Sequence, residues 1–446
     1  MRYRTGVFES LSHDDRVIRK EEIIMEQLFC LSIAMMAGLL MSRAAKVLKL
    51  PAVTAYLVGG ILIGPYVLGQ FGIRGFGFVD AANVKEYSIF CDVALGFIAF
   101  DIGNEFRLKQ LRAIGRQATV IAFTQALTAT VFVDAALIGL HFMMPELVTM
   151  PIAIILGAIA TATAPAATLM VVRQYKAKGP LTDILLPIVA LDDAIGLVVF
   201  AVSCGVAGAI GSGSISIVSV LVQPLLEVIL SLLLGSFMGL LLTIAEQHFE
   251  SNSRRLSIVI TFVLFTVALS MLKFEVGGLE IGFSSLLVCM MLGTIFCNIC
   301  DFSEDMMARA DKWTAPLFVL FFVLSGAELE LGVFRNLAIV GIGITYIIFR
   351  SGGKCVGAYA GAKAMKCSDT IRKYLGITLL PQAGVALGMS MTVTETMGEA
   401  GRLIRNITLF SVLVYELAGP LMTKIALMRA GEISPRPEIV KTPNQK

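Results

Sequence analysis

The chain has 446 residues, of which 57% are hydrophobic and only 15% charged, against roughly 25% charged in a soluble domain. Its net charge of +3 gives no basis for binding nucleic acid, and no nucleophile–base pair or cofactor motif supports an enzyme. Such a composition belongs to a chain whose solvent is mainly lipid.

The first 24 residues are polar, of mixed charge, and lack the apolar core of a signal peptide; residues 1–25 are read as a polar tail. Apolar runs of spanning length, about 17–25 residues, then recur at 26–45, 52–70, 86–104, 114–142, 150–173, 181–207, 215–246, 256–272, 278–299, 313–331, 337–363, 372–395 and 401–429. The expectation is an all-α polytopic membrane protein of about thirteen transmembrane helices over 26–430, with a polar tail at 431–446.

Basic residues orient the array. Arg43, Lys46 and Lys49 follow the first run, Arg107, Lys109, Arg112 and Arg116 the third, and Arg173, Lys176 and Lys178 the fifth. Arg254 and Arg255, Arg309 and Lys312, and Lys363, Lys366, Arg372 and Lys373 follow the seventh, ninth and eleventh. The loops near Pro145 and Ser212 carry neither Lys nor Arg. All rich loops fall on one side, which is expected to be the cytoplasm, with the N-terminus outside and the C-terminus inside.

Two sequence echoes lie seven runs apart. Gly103-x-Glu105-x-x-Leu108 matches Gly326-x-Glu328-x-x-Leu331, and Ala164-Pro165-Ala166-Ala167 is answered by Leu380-Pro381-Gln382-Ala383-Gly384. An odd offset places the copies in opposite orientations, as in an inverted repeat with interrupted helices.

Asp192 and Asp193 lie side by side in the apolar run Pro187–Phe200. Each charge at a helix centre costs roughly 2.5–3.5 kcal/mol, which selection rarely retains for packing. Adjacent helical residues point about 100° apart, so the two carboxylates have different roles. Thr161, Thr163 and Thr168 surround Pro165, a setting in which freed carbonyls and hydroxyls coordinate a cation. Arg350 and Lys354 share a helix face deep in the eleventh run. Buried cations need partners, and the only acids deep enough are Asp192 and Asp193. Lys354 is the better candidate to titrate, because Arg keeps its proton. Asp92, Asp101, Asp134 and Glu416 are weaker candidates, read as structural pairs or as lining a funnel. Of the eight cysteines, Cys297 and Cys300 form a CxxC with no second pair to complete a metal site. These residues alone carry the reading as far as an ion-coupled secondary transporter.

The stretch Pro51–Pro65, Gly103-x-Glu105, Thr163-Ala164-Pro165, Asp192-Asp193 and Lys354-Cys355-Val356-Gly357 stand in the order found in the sodium/proton exchanger superfamily. The chain resembles that superfamily, in particular its bacterial branch of electrogenic double-aspartate antiporters. The resemblance implies a dimerisation domain, a mobile core with two broken helices crossing near the ion, and a homodimer. It implies Asp193 as the main cation-binding carboxylate, with Asp192 and Thr163 beside it, and a salt bridge from Asp192 to Lys354 that breaks when the cation arrives. It implies exchange of Na⁺ or Li⁺ for protons without a cofactor, in the service of pH homeostasis. A K⁺/H⁺ antiporter or K⁺ efflux system is the alternative. Ala164 stands where relatives of the eukaryotic exchangers carry Asp, and no nucleotide-binding domain like that of the glutathione-gated potassium efflux relatives is expected.

Overall fold

A computed structural model of the chain describes residues 13–48, 50–72, 77–80, 84, 86–104, 108–212, 223–249, 251–276, 279–301, 303–329 and 331–433. In chain order the helices are α1 (His13–Val47), α2 (Ala52–Ile63), α3 (Ser88–Asn104), α4 (Leu108–Met143), α5 (Met150–Ile159), α6 (Pro165–Tyr175), α7 (Pro180–Ser212), α8 (Gln223–Gln247), α9 (Asn252–Ser270), α10 (Ser285–Ile299), α11 (Ser303–Glu328), α12 (Leu337–Ala364), α13 (Asp369–Thr378) and α14 (Gly384–Arg429). Among the described residues nine helices are long and apolar enough to cross a bilayer, and shorter apolar helices at Met150–Ile159, Ser285–Ile299 and Gly384–Thr394 accompany them. Apart from one short antiparallel strand pair, the described elements are helices, and the chain is a multi-pass membrane protein.

Several boundaries differ from expectation for local reasons. Helix α1 starts at His13, so the end of the polar tail is helical and runs straight into the first apolar segment. Helix α2 ends at Ile63, ahead of Gly64-Pro65, because the residue before proline is pushed out of helical geometry. The ninth segment begins as the second strand of an antiparallel pair, with Phe274 opposite Ile281 and Val276 opposite Leu279. Helix α10 therefore opens only at Ser285, behind a Ser284 cap that accepts from the Leu287 amide. Helix α11 starts at Ser303, with Glu304 and Asp305 in its first turn, where acids favour the positive end of the helix dipole. The fifth and twelfth segments are each split, at residues 160–164 and 379–383, where the Ala-Pro and Pro-Gln-Ala-Gly echoes predicted breaks.

Two compact units form, one from residues up to 94 with 314–332, the other from 95–313 with 333 onward. In the first, α2 crosses α11 backbone to backbone. A Cβ on Gly60 would stand 1.9 Å from the Val323 carbonyl oxygen, and one on Gly326 would stand 2.2 Å from that of Leu57. Without a hydrophobic force between helices in lipid, such small-residue crossings carry the association. Phe78, Tyr87, Leu320, Val323 and Leu324 fill the core beside them.

The second unit holds the polar residues of interest. Helices α4 and α12 lie together along a seam of Gly353, Gly357 and Gly361. Cβ atoms at these glycines would sit 2.6, 2.6 and 3.0 Å from the Cα atoms of Ala129, Gln125 and Ile121. In the same unit Gly103, from the first echo, has no room for a Cβ against the Met290 carbonyl oxygen, 2.0 Å away. Its companion Glu105 lies outside the described residues.

Helix α7 is anchored at its N-terminus by Glu432, just past the end of α14. One carboxylate oxygen accepts from the Leu181 amide at 2.6 Å, and the other from the Thr182 amide at 2.8 Å and the Thr182 hydroxyl at 2.6 Å. These are amides that a helix leaves without internal partners. Gly179, at φ 155°, makes room, since a Cβ there would meet the Glu432 carboxyl carbon at 2.6 Å. Glu432→Ala is expected to destabilise the protein by about 1–2 kcal/mol, as loss of a cap does, read as a lower Tm of the detergent-purified protein. Glu432→Gln keeps an acceptor and should lose less; equal Tm for all three proteins would remove Glu432 from the anchoring role.

Candidate ion-exchange site

Interrupting a helix inside a membrane frees carbonyls that water cannot reach, and each needs a donor from the protein. Proline at the first position of α6 is suited to its place, because that N–H has no helical partner anyway. Ala164 precedes it and offers no side-chain cap. Its amide instead donates to the Pro381 carbonyl at 2.8 Å. The two broken helices thus touch backbone to backbone at their interruptions, as crossing helices must.

The other freed carbonyls are met by three long polar side chains. Arg350, fully buried on α12, donates through Nε to Ala160 at 3.0 Å, through Nη2 to Ala162 at 2.5 Å and through Nη1 to Leu380 at 2.8 Å. Its guanidinium carbon lies 4.5 Å from the centre of the Tyr415 ring. Gln382 donates to Ile159 and to the Tyr346 hydroxyl, each at 3.0 Å, and accepts from Ser411 at 3.2 Å. Lys354 takes the Thr161 carbonyl at 2.7 Å. Arg350 was expected to need an acidic partner. The structure instead hydrogen-bonds it to carbonyls from both breaks, whose partial charges add up around one planar fork of donors.

Lys354 spends its remaining two donors on Thr163 Oγ1 at 2.8 Å and Asp192 Oδ2 at 3.1 Å. Thr163 in turn donates to the same Asp192 oxygen at 2.6 Å. The other Asp192 oxygen accepts from Nε2 of Gln125 on α4. Asp192 is 0% exposed and paired with an ammonium that is itself 0% exposed. Asp193 is 2% exposed, yet neither of its carboxylate oxygens has a hydrogen-bond partner. Two neighbouring carboxylates in one helix are thus in opposite conditions, one saturated and one bare.

The structure brings together Asp192, Thr163 and Lys354, with Asp193 adjacent in sequence to the saturated acid. It disperses the other acids. Asp101 is bound at 2.7 Å by Nη1 of Arg173, which holds Asp311 at the same distance. Asp134 fits against Gly157, where a Cβ would stand 1.7 Å from its Oδ1. Asp92 is part-buried on α3, and Glu416 is buried on α14. No group of three or more His, Cys, Asp or Glu able to hold a metal ion occurs among the described residues. Gln125 was missed by the sequence reading, because a lone amide in an apolar helix carries no pattern of its own.

The sodium/hydrogen exchanger transmembrane family model matches residues 31–429. The K(+)/H(+) antiporter subunit KhtU of Bacillus subtilis is 23% identical over 390 residues, covering 86% of this chain and 89% of the relative. The solved structure of the sodium proton antiporter MjNhaP1 from Methanocaldococcus jannaschii at pH 8 has a TM-score of 0.69 at 17% identity, covering 92% of this chain and 99% of that one. A second structure of MjNhaP1, from an electron-microscopy map, gives the same TM-score at 18% identity, covering 91% and 98%. Both likenesses place the fold. With the family model spanning most of its length, the chain belongs to the sodium/hydrogen exchanger family and is a cation/proton antiporter, with ions as its substrates, no cofactor and no enzymatic activity.

Proposed function

We propose that the chain exchanges Na⁺ or Li⁺ for protons across a bacterial inner membrane by alternating access, and that Asp193 is the carboxylate that carries either ion. The bare, buried Asp193 carboxylate supports this reading above all. A carrier of this kind needs a site that holds protons or a cation, never both, and is never empty while it moves. Deprotonated, Asp193 offers two hard oxygens to a monovalent cation; protonated, it releases the cation and carries the proton instead. When the cation draws Asp192, bound by Gln125, Thr163 and Lys354, away from Lys354, the buried ammonium loses its carboxylate partner and gives up the second proton. The two acids titrate as one coupled unit.

Two protons against one cation move one net charge per cycle, so membrane potential supplies about 2.3 kcal/mol per 100 mV. The array is oriented with the C-terminus in the cytoplasm and works as a homodimer, a dimerisation part beside a mobile core. K⁺ in place of Na⁺ is the second reading, favoured by the likeness to a K(+)/H(+) antiporter subunit; Asp193 serves either ion.

Everted vesicles carrying a proton gradient test this, titrated separately with Na⁺, Li⁺ and K⁺ across pH. The expected outcome is cation-dependent dissipation of the gradient in wild type that is abolished in Asp193→Asn and Asp193→Ala. The responding cation names the substrate. Exchange retained in either variant would remove Asp193 from the site.

A further inference from the structure

We propose that the side-chain oxygen of Gln125 is a ligand of the transported cation, and the ligand by which the site tells a cation from a proton. This inference rests on the ion site proposed above.

The orientation of the Gln125 amide is fixed by its surroundings. Its Nε2 meets the Ala122 carbonyl at 2.9 Å and a carboxylate oxygen of Asp192. A carbonyl cannot donate, so the NH₂ end must face this side. That leaves Oε1 buried without a hydrogen-bond partner, on a residue that is 0% exposed. The backbone gives little freedom to swing away, since Gln125 Cα lies against Gly357 of α12. A buried acceptor without a donor is a cost that native proteins retain for a reason.

At the ion site, Asp192 accepts from three side chains and Thr163 both donates and accepts. The oxygens still free are the two of Asp193 and the one of Gln125, and the Gln125 amide is joined directly to the acid next to Asp193. A carboxylate binds protons and cations alike. An amide oxygen is far too weak a base to hold a proton at neutral pH, but it is a good neutral ligand for a hard monovalent cation, as carbonyl oxygens are in ion filters. Gln125 therefore adds affinity to the cation-loaded state and none to the protonated state, and its single oxygen contributes to the choice among Li⁺, Na⁺ and K⁺.

The test is the pH dependence of the cation KM in proteoliposomes, for wild type, Gln125→Met and Thr163→Val, with Asp193→Asn as the control for the site itself. At high pH, where protons no longer compete, Gln125→Met should raise the KM about tenfold, the loss expected for one contact of this kind. Because the variant also removes a donor to Asp192, the pH at which KM starts to climb should move as well, but the order or spacing of KM values for Li⁺, Na⁺ and K⁺ should change, which loosening Asp192 alone would not do. Thr163→Val, which loosens Asp192 while leaving Gln125 in place, should move that pH and leave the cation ratios alone. If Gln125→Met behaves like Thr163→Val, or leaves the high-pH KM unchanged, Gln125 acts only through Asp192 and the ligand role falls. Should Gln125→Met not yield a folded protein, Gln125→Asn draws the oxygen back by one methylene and carries the same test. An active Asp193→Asn would instead overturn the site proposed above, whatever Gln125 does.

Discussion

Arg350→Met is expected to lower the Tm of the purified protein by about 10 °C or more, the largest loss from any single change considered. Methionine matches much of the arginine's length and removes all of its donors. Three carbonyls, those of Ala160, Ala162 and Leu380, would then be buried without partners, at about 1–3 kcal/mol each. Both broken helices lose their tether at once, because one guanidinium serves both. Arg350→Lys should recover only part of the loss, since a compact ammonium lacks the wide planar fork by which the guanidinium spans carbonyls of both breaks. A Tm within a few degrees of wild type for Arg350→Met would show that the Ala164–Pro381 link and Gln382 hold the crossing alone.

Lys354→Met is expected to be the next most damaging. It leaves Asp192 buried without its cation, and breaking a buried pair from one side costs about 3–5 kcal/mol. The double change Asp192→Asn with Lys354→Met removes both charges and should restore most of the lost Tm. Exchange should respond differently from stability. If Lys354 releases Asp192 during the cycle, charge moved per cation on solid-supported membranes should fall in the double variant even where stability has recovered. An unchanged current per cation would make Lys354 a purely structural partner.

What the sequence announces and what it hides divide along physical lines. Charge in an apolar run is costly, so Asp192, Asp193, Arg350 and Lys354 stand out by residue type alone. Proline in a spanning segment marks Pro165 and Pro381 in the same way. The partners of Arg350 are invisible for the opposite reason: a carbonyl is present at every residue, and only the breaks decide which ones are free. Gln125 is neutral and isolated, so nothing in the letters distinguishes it from a helix surface amide. Glu432 caps a helix that starts about 250 residues earlier, a pairing no local pattern encodes. The seam of Gly353, Gly357 and Gly361 could have been found, since small residues recurring at every fourth position along a spanning helix are a packing signal. The pairing of Phe274–Val276 with Leu279–Ile281 is not legible, because two three-residue strands are too short to show a period.

That glycine seam carries a mechanical consequence. Along it α4 and α12 touch first through main-chain atoms, with only the near ends of the Phe132, Thr128, Thr124 and Ile121 side chains beside them. The helix that carries Gln125 and the helix that carries Arg350 and Lys354 therefore behave as one stiff beam. Sliding them by even a part of a turn would drive Cα atoms into one another. Whatever motion exposes the ion to alternate sides of the membrane must carry the two helices together, and the spacing between the groups that hold Asp192 is carried with them. An arriving ion then meets groups already in place and does not have to order them, so less of its binding free energy is lost to immobilising the protein.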